Sequence, residues 1–314
     1  MTRPRAVTLG CVAGLSIALA FAACSRRPGD GASLQPVELW LGGDVHLGAR
    51  TRRLFASKLD ELAGAAGVVN LEGPVTERPE PSSARRLVNH RARLGVLRSG
   101  GVRVAGIANN HRSDLGAEGT RATVAALRSA GITAAGDGAE HGAGAGTFVQ
   151  GGRRVVVAAV DLSAGAANDL RERLAAARAE GDVLVVSIHV VQTPTFLPGR
   201  ELREAVGVAA SAGARVVVAH GSHTYGPVER RGDTVIAWGL GNLVFDCDCS
   251  RERDGLLLRV SIDDESGVRA RIVPIVAGLG GAPARRDGDT RRVLDLLGAM
   301  GSSPLDRTHR VGSF

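Results

Sequence analysis

An α/β fold that gathers its chemistry along one edge is what this sequence predicts, on three observations. Apolar runs rich in β-branched residues alternate with helical patterns along most of the chain. Five of those runs stop at side chains suited to ion binding or proton transfer: Asp44 and His46, Asn70 and Glu72, Asn110 and His111, His189, and His220 with His223. A length of 314 residues with 44% hydrophobic content suffices for a full core in one large domain or two small ones. Strands alternating with helices build a sheet whose ligands collect beyond the carboxyl ends of the strands.

The N-terminus reads as an address. Thr2 to Arg5 is a basic n-region, Val7 to Ala23 is apolar, and Phe21-Ala22-Ala23-Cys24 closes it with a small-residue cleavage pattern, so residues 1–23 are expected to be an export signal. Cys24 is similarly placed to the lipidated cysteine of a bacterial lipobox, although Phe21 stands where Leu is more usual. The apolar run is shorter than the ~20 residues a membrane span prefers, which ranks a retained anchor behind lipidation and plain secretion. Residues 24–36, rich in Gly, Pro, Ser and Arg, read as a lipidated tether. The expected location is the cell envelope, on a membrane through the lipid anchor; with Ser25 rather than Asp after Cys24, it is the outer membrane in a two-membrane bacterium.

Charge and cysteine content exclude more than they assign. The formal net charge of +7 comes almost entirely from arginine, since Lys58 is the only lysine. Arginine is spread along the whole chain and aromatics make up 3%, so stacking platforms for nucleic acid are missing; an anionic polymer or lipid surface stays open. Of four cysteines, Cys11 falls in the signal and only Cys247 and Cys249 belong to the mature fold. They could close a small disulfide or stand as two thiols, and no second cluster completes a structural zinc site.

In chain order, Val37 to Leu41 alternates as a first strand and runs into Asp44 and His46, two apart and able to reach one ion from the same face. A helical stretch is expected through Leu54, Leu59 and Leu62, then a strand from Ala66 that ends at Asn70 and Glu72 beside the Gly73-Pro74 turn. Residues 77–83 read as an exposed loop and Arg85 to Arg98 as a basic helix. Val102 to Ile107 is a buried strand ending at Asn109, Asn110, His111 and Asp114; alone, an Asn-rich turn explains that stretch equally well. Thr120 is placed to cap a helix facing inward through Val124 and Leu127. The Gly-rich run 136–146 lacks the Lys-Ser/Thr ending of a phosphate-binding loop. Strands follow at Ile132 to Ala135, Arg154 to Val160, Val183 to Ile188 and Arg215 to Ala219, separated by helices after Asp169 and from Glu201 to Ala212. His220 and His223, three apart after a buried strand, carry a stronger metal signal than the lone His189. Thr234 to Trp238 leads into Asn242 and Asp246. Gly255 to Ile262 and Val268 to Val276 form a hairpin, Thr290 to Met300 a closing helix, and residues 301–314 a loose tail. Hard oxygens mixed with imidazoles suit Mn, Fe or Zn, and that many donors suit two ions sharing a carboxylate.

At Gly43-Asp44-Val45-His46-Leu47-Gly48, Asn70-Leu71-Glu72-Gly73-Pro74, Ala108-Asn109-Asn110-His111 with Asp114 and Gly116, Ala219-His220-Gly221-Ser222-His223 with Glu229, and Leu240-Gly241-Asn242-Leu243-Val244-Phe245-Asp246, the sequence resembles the CapA-type poly-γ-glutamate capsule biosynthesis proteins of the calcineurin-like metallophosphoesterase superfamily. The resemblance implies a four-layer α/β/β/α metallophosphatase-like sandwich over residues 37–300 and a divalent-metal centre, of two ions, held by Asp44, His46, Glu72, Asn110, His189, His220 and His223. It makes His111 the general acid, with Asn70, Asn109, Asp114 and Asn242 in support. It further implies an anionic polymer such as poly-γ-glutamate as partner and other capsule synthesis or export proteins beside it, while the composition already argues against nucleic acid. Hydrolysis or transfer on the polymer is one expectation; non-catalytic binding or scaffolding is the other. Val190-Val191 replaces the family's Trp-Gly, and His220-Gly221-Ser222-His223 its His-His-Pro-His run.

Overall fold

The computed structural model describes residues 34–55, 59–78, 82–136, 144–163, 168–191, 195–250, 252–279, 284–285, 290–302 and 312–313. The export signal, Cys24 and most of the tether lie outside these residues. In chain order the elements are β1 (Val37–His46), β2 (Ala66–Leu71), β3 (Val75–Thr76), β4 (Asn89–His90), α1 (Leu94–Ser99), β5 (Val102–Gly106), α2 (Gly116–Ser129), β6 (Thr133–Ala135), β7 (Gly146–Gln150), β8 (Arg153–Asp161), α3 (Leu170–Ala179), β9 (Val183–His189), α4 (Arg200–Ser211), β10 (Ala214–His220), β11 (Val228–Arg231), β12 (Thr234–Ala237), β13 (Asn242–Phe245), β14 (Asp254–Asp263), β15 (Gly267–Val276), β16 (Gly278–Leu279), β17 (Ala284–Arg285), α5 (Thr290–Ala299) and β18 (Gly312–Ser313).

Two sheets dominate. The first runs β17-β15-β14-β1-β2-β5-β6, with β13 also on β1, and its β13, β1, β2, β5 and β6 are parallel. The second runs β11-β12-β10-β9-β8-β7, with β12, β10, β9 and β8 parallel. Parallel strands covered on both faces need side chains that are apolar in both directions, which is why Val155-Val156-Val157 and Val216-Val217-Val218 are uninterrupted runs.

Alternate residues of those runs serve different layers, and this makes the four-layer α/β/β/α sandwich. Leu39, Leu41 and Val104 of the first sheet meet Val155, Val157, Val185, Val216 and Val218 of the second, with Leu294 and Leu297 of α5 in the same cluster. Trp40, Val69 and Ala105 point to the other side of the first sheet, onto Leu94 and Leu97 of α1 and Leu127 of α2. Val156, Val186 and Val217 point outward from the second sheet onto Leu170 and Leu174 of α3 and Leu202 and Val206 of α4. Burying each such side chain contributes about 1.5–3 kcal/mol, so a single register slip in either sheet would be heavily penalised.

Three local expectations give way to tertiary structure. The basic helix expected from Arg85 is only α1, because Leu87, Val88 and Asn89 are drawn into the interior. Asn89 fixes them there: its Oδ1 accepts from the Leu47 amide at 2.7 Å and its Nδ2 donates to the carbonyls of Glu72 and Gly73. The stretch through Leu54 and Leu62 holds, among the described residues, only a short 3-10 turn at Asp60–Leu62. Thr120 is not a cap: α2 starts a turn earlier at Gly116, and the Thr120 hydroxyl donates to the Arg112 carbonyl at 2.9 Å. Of the expected loose tail, Gly312–Ser313 pairs with β15. Among the described residues no helix is long and apolar enough to cross a membrane.

Candidate metal centre

The register of the sheets puts the strand-end residues in two rows. In the first sheet Asp44 pairs with Asn242 on one side and Asn70 on the other, and Asn70 pairs with Gly106. In the second, Asp161, His189 and His220 stand side by side. Side-chain bonds then join the rows.

Asp44 lies at the join. Its Oδ1 accepts from Asn70 Nδ2 at 2.9 Å and from His220 Nδ1 at 3.0 Å, and its Oδ2 lies 3.2 Å from His223 Nδ1. The same Asn70 amide donates to Glu72 Oε1 at 2.8 Å, so one carboxamide spans both carboxylates. Glu72 Oε1 is also 3.0 Å from His189 Nε2. His189 Nδ1 faces the Ser163 hydroxyl at 3.3 Å and Asp161 at 3.8 Å, and Asp161 in turn accepts from Arg112 at 3.0 Å. Asp44, Asn70, Glu72, His189 and His220 are all buried.

Backbone geometry makes this approach possible. A Cβ on Gly43 would stand 1.7 Å from the Gly241 carbonyl, which accepts the Asp44 amide at 2.9 Å, so only glycine lets the β12–β13 connection hold Asp44. Gly221, at φ +100, would meet the Val190 carbonyl at 2.1 Å. Two residues on, His223 adopts φ 55, in the left-handed region that is uncommon for a residue other than glycine. The bonds to Asp44 and Asn242 are what hold it there.

Electrostatics follow from burial against pairing. Burial resists charge on Asp44, but hydrogen bonds from His220 and His223 outweigh it and hold the carboxyl well below its usual range. Burial also resists charging His189; the Glu72 carboxylate and Asp161 overcome it and push the imidazole to about 10. His223 is pushed to about 9 against burial, chiefly by Asp44. Asp161 is lowered to about 2 against burial by its contacts with His189 and Ser163.

The other expected residues divide. Asn109, not Asn110, is the buried member of the pair: its Nδ2 donates to Asn70 Oδ1 at 3.1 Å and to the Leu71 carbonyl at 2.8 Å, and its Oδ1 accepts from the His111 amide. Asn110, the expected ligand, is exposed. His111 Nδ1 meets Asp114 Oδ2 at 2.7 Å, and the same oxygen accepts from the Leu87 amide. His46 is buried but engaged elsewhere, its Nε2 at 3.0 Å from the Val88 carbonyl and 2.9 Å from the Ser82 hydroxyl; burial lowers its pKa. Phe245 contacts both His46 and His223, with ring centroids 5.5 and 5.2 Å apart respectively. Asn242 accepts from His223 Nδ1 at 2.9 Å. Asp161, Ser163, Arg112 and Ser250 were not singled out in the sequence. The end of the Arg153–Asp161 run on a carboxylate is the one signal that could have drawn attention to Asp161.

Among the described residues no three or more His, Cys, Asp or Glu stand arranged to hold an ion, and the carboxylates and imidazoles of this cluster are hydrogen-bonded to one another. Among these site residues two buried atoms, Glu72 Oε2 and His46 Nδ1, nevertheless lack a hydrogen-bond partner. A lone carboxylate oxygen buried beside a second carboxylate and three imidazoles is the donor chemistry of a divalent transition ion, so the residues fit such a group in kind.

The family model described as bacterial capsule synthesis protein PGA_cap matches residues 32–247, from the residues preceding β1 to the loop after β13. The chain belongs to this family. The family lies in the metallophosphoesterase-like superfamily, in agreement with the sandwich. The chain is also similar to the PGA biosynthesis protein CapA of Bacillus subtilis (strain 168), 25% identical over 248 residues, covering 69% of this chain. It spans 63% of that relative's length. Among solved structures, a hypothetical protein from Thermus thermophilus is 13% identical over 76% of this chain and 99% of its own, at TM-score 0.46. Chaetomium thermophilum Vps29 is 10% identical over 78% and 89%, at TM-score 0.33. Both likenesses are too weak to bear on the site.

Proposed function

We propose that this chain is an exported lipoprotein, anchored through Cys24, that works in the synthesis or export of an anionic capsule polymer such as poly-γ-glutamate, and that its crevice is a metal-dependent hydrolase site. The observation that carries the reading is Asn70 bridging Asp44 and Glu72 at 2.9 and 2.8 Å, with His189, His220 and His223 on the same two carboxylates. Such a cluster is costly to bury for stability alone, since paired buried charges rarely repay their desolvation. Membership in a capsule synthesis family supports the process. The bond cleaved would be a phosphoester or an isopeptide-like linkage.

Asp44, Glu72, His189, His220 and His223 would hold the ion or ions, with His46 reaching them through Nδ1 if its ring turns. When bound, divalent ions supply Lewis acidity at the scissile group. Asn70 keeps the two carboxylates at a fixed separation. Asp114 takes the Nδ1 side of His111, leaving Nε2 to give a proton to the leaving group. The Asp161–His189 contact orients the ring that faces Glu72.

A second reading, a non-catalytic polymer-binding lipoprotein of the export machinery, is favoured by the arginine surplus. Metal analysis of the purified chain after reconstitution, beside a capsule assay of Asp44→Ala and His111→Ala, separates the two. The hydrolase reading expects at least one bound ion per chain and loss of polymer processing in both variants. Less than one ion together with unchanged processing overturns it.

A further inference from the structure

The loop after β13 holds a group of contacts that the reading above does not use. Cys247 and Cys249 are disulfide-bonded across one residue. Cys247 is buried against Leu87 and Phe245, while Cys249 is exposed. The next residue, Ser250, is buried; its amide reaches the Cys247 carbonyl at 3.5 Å, and its hydroxyl accepts from Asn242 Nδ2 at 2.8 Å while donating to Glu252 Oε2 at 2.8 Å. Asn242 Nδ2 also approaches the Glu252 carbonyl at 3.3 Å.

These contacts dictate which way the Asn242 carboxamide faces. With its NH2 committed to Ser250 and Glu252, its oxygen must face His223, and an amide oxygen can only accept. His223 Nδ1 therefore keeps its proton, shared between Asn242 Oδ1 at 2.9 Å and Asp44 Oδ2 at 3.2 Å, and Nε2 is left as the nitrogen that can serve a ligand. A flipped Asn242 would point an NH2 at Nδ1 and leave Asp44 Oδ2 as the one acceptor holding that proton.

We infer that Ser250 is a positioning residue for His223, acting through Asn242, and that the Cys247–Cys249 disulfide is the covalent brace that keeps Ser250 in place. The inference rests on the metal-site reading for its functional meaning, but the orientation of His223 can be measured without any ion. Outer contacts that fix a histidine ligand's ring and proton are typically worth about 10–100-fold in affinity.

The test uses the purified protein with Mn2+ or Zn2+ as the probe, comparing wild type, Ser250→Ala, Ser250→Thr and the double variant Cys247→Ser/Cys249→Ser by calorimetry. In parallel, proton NMR of the metal-free proteins follows the slowly exchanging Nδ1–H resonance of His223, identified by its loss in His223→Gln. We expect Ser250→Ala to weaken ion binding about 10-fold and to broaden that resonance, Ser250→Thr to restore both, and the double cysteine variant to show an intermediate loss with its circular dichroism unchanged. Ser250→Ala with wild-type affinity and a sharp resonance overturns the positioning role. A double cysteine variant that matches wild type in both measurements overturns the brace. If wild type binds neither ion, the metal-site reading fails, and the resonance alone decides whether Ser250 positions His223.

Discussion

The two sheets bring different chemistry to their shared end. The first contributes acids and carboxamides, Asp44, Asn70, Glu72, Asn109 and Asn242; the second contributes imidazoles, His189 and His220, with His223 one turn beyond and Asp161 behind. His46 and His111 belong to the first sheet's side, and both turn away from the seam, His46 to the distant Val88 and Ser82 and His111 to the neighbouring Asp114. The site is a property of the seam, and the seam exists because the interdigitated valines and leucines between the sheets fix their registry.

The most severe way to break that seam is to remove the carboxylate at its centre. Asp44→Ala leaves His220 and His223 facing a cavity with Asn70 Nδ2 half satisfied. Breaking a buried pair by deleting one partner costs about 3–5 kcal/mol. Urea unfolding in the presence of a chelator should show a loss of about 3 kcal/mol or more; a loss below about 1 kcal/mol would mean that the pairs contribute nothing to the apo fold.

A milder way is to titrate it. His189 and His223 have native values of about 10 and 9, above the ordinary 6.5. A raised native value means the folded state holds the proton more tightly, so these pairs stabilise the metal-free protein fully below about pH 6.5, and the contribution erodes as pH climbs through 9 to 10. Asp161, at about 2, adds stability that is present above 3.8 and lost on acidification. An ion must displace the imidazole protons, so its affinity should change in the opposite sense, rising from pH 6 towards 9. Thermal unfolding with and without Mn2+ across that range checks both slopes; a midpoint difference that shrinks as pH rises would contradict the seam as the ion's place.

Much of this was legible in the sequence because the signals were local. A strand that stops at a carboxylate or an imidazole announces itself, and the alternation of β and α patterns fixes that such stops share one edge. What was not legible depended on contacts between distant segments. The Leu87–Asn89 run looks like part of a basic helix until Asn89 is seen tied to Leu47, Glu72 and Gly73. Spacing says that His46 can share a face with Asp44; that its ring bonds to Val88 and Ser82, 42 and 36 residues away, is a tertiary outcome. The Cys247-x-Cys249 pair left open whether a bond forms, and the disulfide is resolved only by the fold.

Two adjacent asparagines give the smallest and sharpest comparison. The resemblance implies Asn110 rather than Asn109 as a ligand, while nothing local in the sequence separates two neighbours in a turn. Strand β5 delivers Asn109 inward, where its carboxamide satisfies Asn70, Leu71 and the His111 amide at once, and the backbone then turns Asn110 out to solvent. Asn109→Ala strips partners from several buried groups and should cost about 1–3 kcal/mol, while Asn110→Ala should change stability by no more than about 0.5 kcal/mol. Stability alone does not assign a ligand, so the same two variants should be titrated with Mn2+. If Asn110→Ala weakens binding more than Asn109→Ala despite an unchanged melting curve, the exposed amide is reaching the ion across the crevice. If only Asn109→Ala weakens it, the carboxamides act as a buried frame that holds Asn70 between the two carboxylates.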